Sequence, residues 1–282
     1  MTRTTPDPPD LIVSDVDGTL IDDRNIVRPL TVRSVVAASQ RGVPLVLATG
    51  RPPRWIHEIT SQLPASSFAV CANGAIVYDI AADRVLHSAT LEPDVLRKIA
   101  ALAHEHLPGA GLAAERVGRS AHDSATAPFV ATSGYQHAWL NPDHLEVGDD
   151  EILDQSAVKL LVRHTGMTSD AMMTTLSAAM VAAGMDELAA ITYSTNNGLI
   201  EVARPGVNKA SGLSTLAEMV GLGTERVIAF GDMPNDIEML RWARHGVAVL
   251  NAHDATKAAA DEVGAYDNNH DAVGQVLERW FD

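Results

Sequence analysis

The sequence predicts an α/β protein: a Rossmann-like parallel-sheet core with helices on both faces, divided by an inserted α+β cap domain. Three observations predict it. Short β-rich apolar runs alternate with helical patterns near the N-terminus, the same rhythm returns near the C-terminus, and the texture between them is different. Parallel strands need a crossover between them, so βαβ order implies a parallel sheet covered by helices.

Taken in order, LIVS at 11–14 reads as the first strand, 30–41 as a helix, VPLVLA at 43–48 as the second strand, and a further helical stretch follows. The single cysteine, Cys71, lies in the apolar run FAVCA and reads as a packed strand residue; alone, it makes no internal disulfide. Beyond Asp83 a helix is expected at 93–106, then a Gly, Ala and Ser-rich stretch at 109–133 with no clear element. A strand follows at VKLLVRH, 158–164, a helix at 169–184 and an alternating run at 189–194. The core rhythm resumes with RVIAF at 226–230, a helix at 234–243, GVAV at 246–249, and helices at 254–262 and 271–281. The expected boundaries are therefore a discontinuous core, 1–82 with 195–282, and a cap at 83–194.

Composition narrows the classes. A chain of 282 residues has material for one large or two ordinary domains. Acidic residues number 36 against 21 basic ones, a formal charge of −15, which excludes a broad nucleic-acid-binding surface. MTRTTPDPPD precedes the first apolar run, so no secretory leader is expected, and no run approaches the roughly 18 apolar residues of a membrane span. A cytoplasmic protein without membrane or nucleic-acid partners is the expectation.

The chemistry-bearing residues fall at strand ends, where ligands bind in open α/β sheets. SDVDGTL puts Asp15 and Asp17 just past the first strand, with Gly18 making the turn. The second strand runs into Thr49, Gly50 and Arg51, a hydroxyl and backbone N–H groups at a helix start, where anions bind. RPGVNKASGL places Lys209 in the first turn of a helix, a poor position for a cation unless it meets an anion. RVIAFGDMPNDIEML ends a strand at Asp232 and turns into Asn235 and Asp236. Turn preference explains a bare DxD, and N-cap duty explains Asn235 or Asp236, but neither explains Asp232. Four converging carboxylates, Asp15, Asp17, Asp232 and Asp236, repel and need a cation. Oxygen-only donors without His or Cys suit Mg²⁺, and a phosphate held by Thr49, Gly50, Lys209 and Asn235 completes the balance.

This set resembles the haloacid dehalogenase (HAD) superfamily of aspartate-nucleophile phosphotransferases through DVDGT at 15–19, ATGR at 48–51, Lys209 in NKASGL, and GDMPND at 231–236. The long gap between Thr49 and Lys209 resembles the Cof-type, sugar-phosphatase-like branch, which carries an α/β cap there; ANGA at 72–75 and the tail from GVAVLNA to AVGQVLE are further similarities. Leu250 departs from that branch, which usually has glycine at this position, so the loop after GVAV is expected to differ in shape. The resemblance implies a Mg²⁺-dependent phosphatase acting on small phosphorylated metabolites. It casts Asp15 as the nucleophile that becomes an aspartyl-phosphate, and Asp17 as acid then base, with a proton kept available by the carboxylates around it. The metal is held by Asp15, the Asp17 carbonyl and Asp232, with Asp236 near it; Asn235 orients these groups, while Thr49 and Lys209 neutralise the phosphoryl oxygens. A phosphomutase using the same intermediate is the alternative, and a catalytically silent phosphometabolite-binding protein the third reading.

The flap IDDRN at 21–25 is too short to enclose a substrate, which leaves that task to the cap. Within the cap, His104 and His106 stand about 200° apart on a helix and cannot share a metal. Glu115, Arg116, Tyr135 and Trp139 read as packing or surface residues before ligand contacts, and Lys159 as a strand residue with its head at the rim.

Overall fold

The structure, a computed structural model, describes residues 7–137, 144–193 and 195–282. The chain begins with β1 (Leu11–Ser14), α1 (Pro29–Gln40), β2 (Leu45–Ala48), the short α2 (His57–Thr60), β3 (Ser66–Cys71), β4 (Ile76–Asp79) and β5 (Arg84–Ser88). Next come α3 (Pro93–His106), β6 (Gly111–Glu115), β7 (Phe129–Ala131), β8 (His144–Glu146), α4 (Asp149–Ile152), β9 (Lys159–Arg163), α5 (Ser169–Ala182), β10 (Ala190–Thr192) and β11 (Leu199–Ala203). It closes with α6 (Lys209–Val220), β12 (Val227–Gly231), α7 (Ile237–Trp242), β13 (His245–Ala248), α8 (Asp254–Ala259), β14 (Glu262–Val263) and α9 (Ala272–Leu277). Among the described residues no helix is long and apolar enough to cross a membrane.

Two compact units result: Met1–Leu86 with Asn208–Asp282, and His87–Val207. The first is built on an eight-stranded sheet in the order β14-β13-β12-β1-β2-β3-β4-β5. Strands β14 to β3 run parallel, and β4 turns back antiparallel to β3. Leu11, Val13, Val46, Ala48, Val227 and Ala229 point to one face, against Leu213, Leu216, Met239 and Leu240 of α6 and α7. Their neighbours Ile12, Leu45, Leu47, Ile228 and Phe230 point the other way and are just as buried. Burial on both faces is why these strands read as continuous apolar runs rather than alternating ones.

The register sets the site. Ser14 pairs with Phe230 on one side and Leu47 on the other, so β1, β12 and β2 end level. The chain leaves β1 toward β2 while β12 lies on its opposite flank, the strand-order reversal beside which open α/β sheets bind ligands.

A turn at Ala72–Gly74 also meets the start of α6 at close range. Gly74 has φ +104°, and a Cβ there would lie 1.9 Å from the Asn208 carbonyl oxygen. No side chain fits without moving backbone, so Gly74→Ala should cost about 3 kcal/mol or more, read as a lower urea midpoint at unchanged slope. An unchanged midpoint would mean that the turn and α6 do not approach in this way.

The second unit holds a six-stranded sheet in the order β10-β11-β9-β6-β7-β8, antiparallel except for β7 with β8. One face packs Leu112, Ala114, Leu160, Val162, Ile200 and Val202 against Ile99, Ala103, Met172 and Leu176 of α3 and α5. The other face carries Ala113, Phe129, Ala131, Leu161, Leu199 and Tyr135.

The structure corrects the sequence reading here in two places. A boundary at 195 assigns Leu199–Ala203 to the core, yet this strand pairs with β9 and β10, and the chain re-enters the first unit only at Asn208. A short apolar run such as LIEVA reads alike in either sheet. Lys159 does not keep its head at a rim: it stands opposite Glu115 inside the sheet, 4% exposed, and pairs with Glu201 at 2.9 Å. Arg116 packs, giving hydrogen bonds to the Glu151 carbonyl and Asp154, and Tyr135 meets Phe129 edge-on; Trp139 lies outside the described residues.

Candidate active site

Asp15 follows β1 directly, and its backbone N–H reaches the Phe230 carbonyl at 2.9 Å, which ties it to the end of β12. Asp232 follows β12 with its side chain beside the loop after β1. Thr19 donates to Asp232 Oδ1 at 3.1 Å, and Gly18, at φ +74°, lies so close that a Cβ would sit 2.5 Å from Asp232 Oδ2. The glycine of DVDGT thus makes the turn and lets two strand ends approach.

Asp236 reaches back under this loop. Its Oδ2 accepts from the backbone N–H groups of Asp232 and Met233 at 2.9 and 3.0 Å, and its Oδ1 accepts from Lys209 Nζ at 2.6 Å. With both oxygens engaged, Asp236 holds the loop and the lysine. Lys209 stands at the first position of α6, whose preceding Asn208 caps the helix reciprocally with Ser211. The ammonium is wholly buried and also donates to Asp15 Oδ1 at 2.5 Å. A cation at a helix N-terminus, against the macrodipole, is accounted for by these two carboxylates.

Asp15, Asp232 and Asp236 are all buried, and each offers an oxygen within 4.8 Å of the others'. Burial pushes the Asp15 carboxyl well up; Lys209 opposes this, and Asp236, Asp232 and Asp17 add to it. Burial, then Asp236, pushes Asp232 up to about 7. Three carboxylates against one lysine leave two negative charges uncompensated when all are ionised. An all-oxygen cluster of that charge fits a hard divalent cation.

Thr49 is buried at the end of β2, with its N–H on the Val70 carbonyl and its hydroxyl accepting from the Arg51 N–H at 3.1 Å. Gly50 is exposed beside it; a Cβ there would come to 3.1 Å of Asn73 Oδ1. Asn235, next to Asp236 in the chain, turns its side chain to Asn73: its Nδ2 donates to that same Asn73 oxygen at 3.2 Å, and its Oδ1 is buried without a partner. Such an orphaned acceptor asks for a donor, such as a water or a ligand hydroxyl.

Asp17 is placed differently from the other three carboxylates. It is 56% exposed, and its carboxylate faces the guanidinium of Arg51 rather than a ring of acids, with Nη2 at 2.7 Å and Nε at 2.9 Å. The side chains of Arg51, Thr19 and Asn73 thus belong to the site, although none of these side chains carried a role in the sequence reading. Each adjoins or lies within a quoted motif, ATGR, DVDGT or ANGA, but its partner is distant in sequence. The loop carrying Leu250 is likewise drawn in: Leu250 is exposed, Asn251 Nδ2 donates to the Gly18 carbonyl at 2.8 Å, and the His253 N–H donates to the Asp232 carbonyl at 2.8 Å.

Comparison with known proteins identifies the family. The family model of the haloacid dehalogenase-like hydrolases matches residues 12–277. The chain is 27% identical over 270 residues to a 5-amino-6-(5-phospho-D-ribitylamino)uracil phosphatase of Bacillus subtilis, covering 96% of this chain and 95% of that one. It is 27% identical over 279 residues to a pyridoxal phosphate phosphatase of Escherichia coli, covering 95% and 97%. Among solved structures, a HAD/COF-like hydrolase of Plasmodium vivax superposes with a TM-score of 0.80 at 24% identity over 98% of this chain and 97% of that one.

Proposed function

Because the chain belongs to the haloacid dehalogenase-like hydrolases, we propose that it is a Mg²⁺-dependent phosphatase of small phosphomonoesters that works through an aspartyl-phosphate on Asp15. The observation that carries this reading is the convergence of Asp15, Asp232 and Asp236 at the strand ends, with a buried Lys209 paired to Asp15 and Asp236. Relatives named for a phosphoribityl-aminouracil and for pyridoxal phosphate support small phosphorylated metabolites as substrates.

Asp15 attacks phosphorus, which divides a very slow hydrolysis into two easier steps. Lys209 holds the attacking carboxylate in line and lowers the repulsion it presents to an anionic phosphoryl group. The Thr49 hydroxyl donates a hydrogen bond to a phosphoryl oxygen. Asp17, the exposed acid–base group, protonates the leaving oxygen and then takes the proton of the attacking water. Asp15, the Asp17 carbonyl and Asp232, with Asp236 in support, would hold Mg²⁺, which would supply positive charge against the carboxylates and the phosphoryl group. The inserted unit His87–Val207, which corresponds to the cap of the branch the sequence resembles, selects the organic part of the substrate.

A panel of alkyl and aryl phosphates with free phosphate as the readout tests the proposal. Release that depends on Mg²⁺ and stops with chelator is expected. Formation of an isomeric phosphate ester without release would make the protein a mutase, and binding without turnover a sensor.

The acidic cluster also sets a pH dependence of stability. In metal-free protein Asp232 titrates near 7 against 3.8 for an ordinary Asp, so its proton favours the folded state. That contribution is complete below about pH 4 and is lost as pH rises through about 7. At about 100 times its Kd, Mg²⁺ should return about 2.7 kcal/mol, or about 5–10 °C in melting temperature, near pH 7.5 and much less near pH 5. An equal shift at both pH values would show that the metal binds elsewhere.

A further inference from the structure

Arg51 is mostly buried, its side chain 11% exposed, while its two acidic partners Asp17 and Glu58 are 56% and 63% exposed. Its Nη2 and Nε donate to the two oxygens of Asp17 at 2.7 and 2.9 Å. A planar fork matched to one carboxylate fixes that group's direction as well as its distance, which a lysine does not. Nη1 is turned the other way, onto Glu58 Oε2 of α2 at 2.9 Å, so the guanidinium is held from two sides. None of its side-chain hydrogen bonds goes to Asp15, Asp232 or Asp236. The cation is therefore committed to Asp17 and not to the acidic cluster.

We propose that Arg51 is the positioning residue for proton transfer: its fork receives Asp17 as a carboxylate and aims it at the reacting oxygen. The inference rests on the phosphatase reading of this site. In the first transfer a bond forms between Asp15 and phosphorus, the bond from phosphorus to the ester oxygen breaks, and the Asp17 proton passes to that oxygen. The Asp17 carboxylate left behind is the species whose two oxygens both accept from Arg51. In the second transfer water attacks phosphorus, its proton passes to Asp17, and the bond to Asp15 breaks, which restores the acid and frees phosphate.

The leaving group provides the test. An alkoxide needs the Asp17 proton to depart, whereas p-nitrophenolate departs without one. Arg51→Ala should lower kcat/KM about 100-fold on an alkyl phosphate and less than about fivefold on p-nitrophenyl phosphate. Arg51→Lys should not restore the alkyl value, and added guanidinium should restore part of it in Arg51→Ala. Glu58→Gln, a change on an exposed side chain, should show the same bias toward alkyl esters at smaller size, and it carries the test if Arg51→Ala does not fold. Equal losses on both esters overturn the proposal, because a contact to the phosphoryl group or a purely structural role lowers both alike. Wild-type protein that releases phosphate from neither ester overturns the phosphatase reading itself, a result distinct from equal losses in the variants.

Discussion

Asp15→Asn should release phosphate at least about 10⁴-fold more slowly than wild type while keeping its fold, the scale of loss when a covalent nucleophile is removed. An amide of nearly the same shape cannot form the acyl phosphate; of the nearby acids, Asp236 has both oxygens engaged, Asp232 accepts from Thr19 and Asp17 faces Arg51. The stability change has the opposite sign. Asp15 is 5% exposed, and burial together with three nearby acids disfavours its charge more than Lys209 favours it, while Lys209 keeps Asp236 as its counter-ion when Asp15 is neutral. A neutral side chain there removes that cost, so metal-free Asp15→Asn should melt at or above the wild-type temperature and gain less from Mg²⁺. Activity within tenfold of wild type would remove Asp15 from the nucleophile's role.

Lys209→Met should damage both folding and turnover. Methionine fills similar space without the ammonium, which leaves Asp15 and Asp236 buried with no cation between them. Removing one partner of a buried ion pair costs about 3–5 kcal/mol, so the metal-free variant should unfold at clearly lower urea. Turnover should fall by about 10²–10³-fold, the size seen on loss of one preorganised donor to developing charge. Arginine should not rescue it, because a side chain at 0% exposure leaves no room for a wider head. An unchanged urea midpoint would mean that Lys209 is not the charge that balances the cluster.

Much of this site was legible in the sequence. LIVS, VPLVLA and RVIAF end in Asp15, Thr49 and Asp232, and strands that run parallel and end level bring such residues to one edge whatever the rest of the chain does. Lys209 was legible as an anomaly, a cation at a helix N-terminus, and the structure supplies the two carboxylates that resolve it. The inserted unit was harder. Strands β7 and β8 have three residues each, and β8 lies on the sheet edge with all three residues exposed, so neither leaves a period to count.

By itself the sequence determined the fold class, the βα rhythm and the meeting of Asp15, Asp232 and Asp236 at the strand ends. These rest on local quantities, namely apolar runs, turn residues and the register of parallel strands. Only the tertiary structure decided that Lys159 is buried against Glu201, that the chain re-enters the core at Asn208, and that Asp17 lies in the fork of Arg51 and not among the acids. The physical reason is the same in each case. A polar group's partner is chosen by distance in space: Lys209 and Asp15 are 194 residues apart, Asn235 and Asn73 162, and Arg51 and Asp17 34. Spacing along the chain carries no trace of such a pair until the strands have set their register.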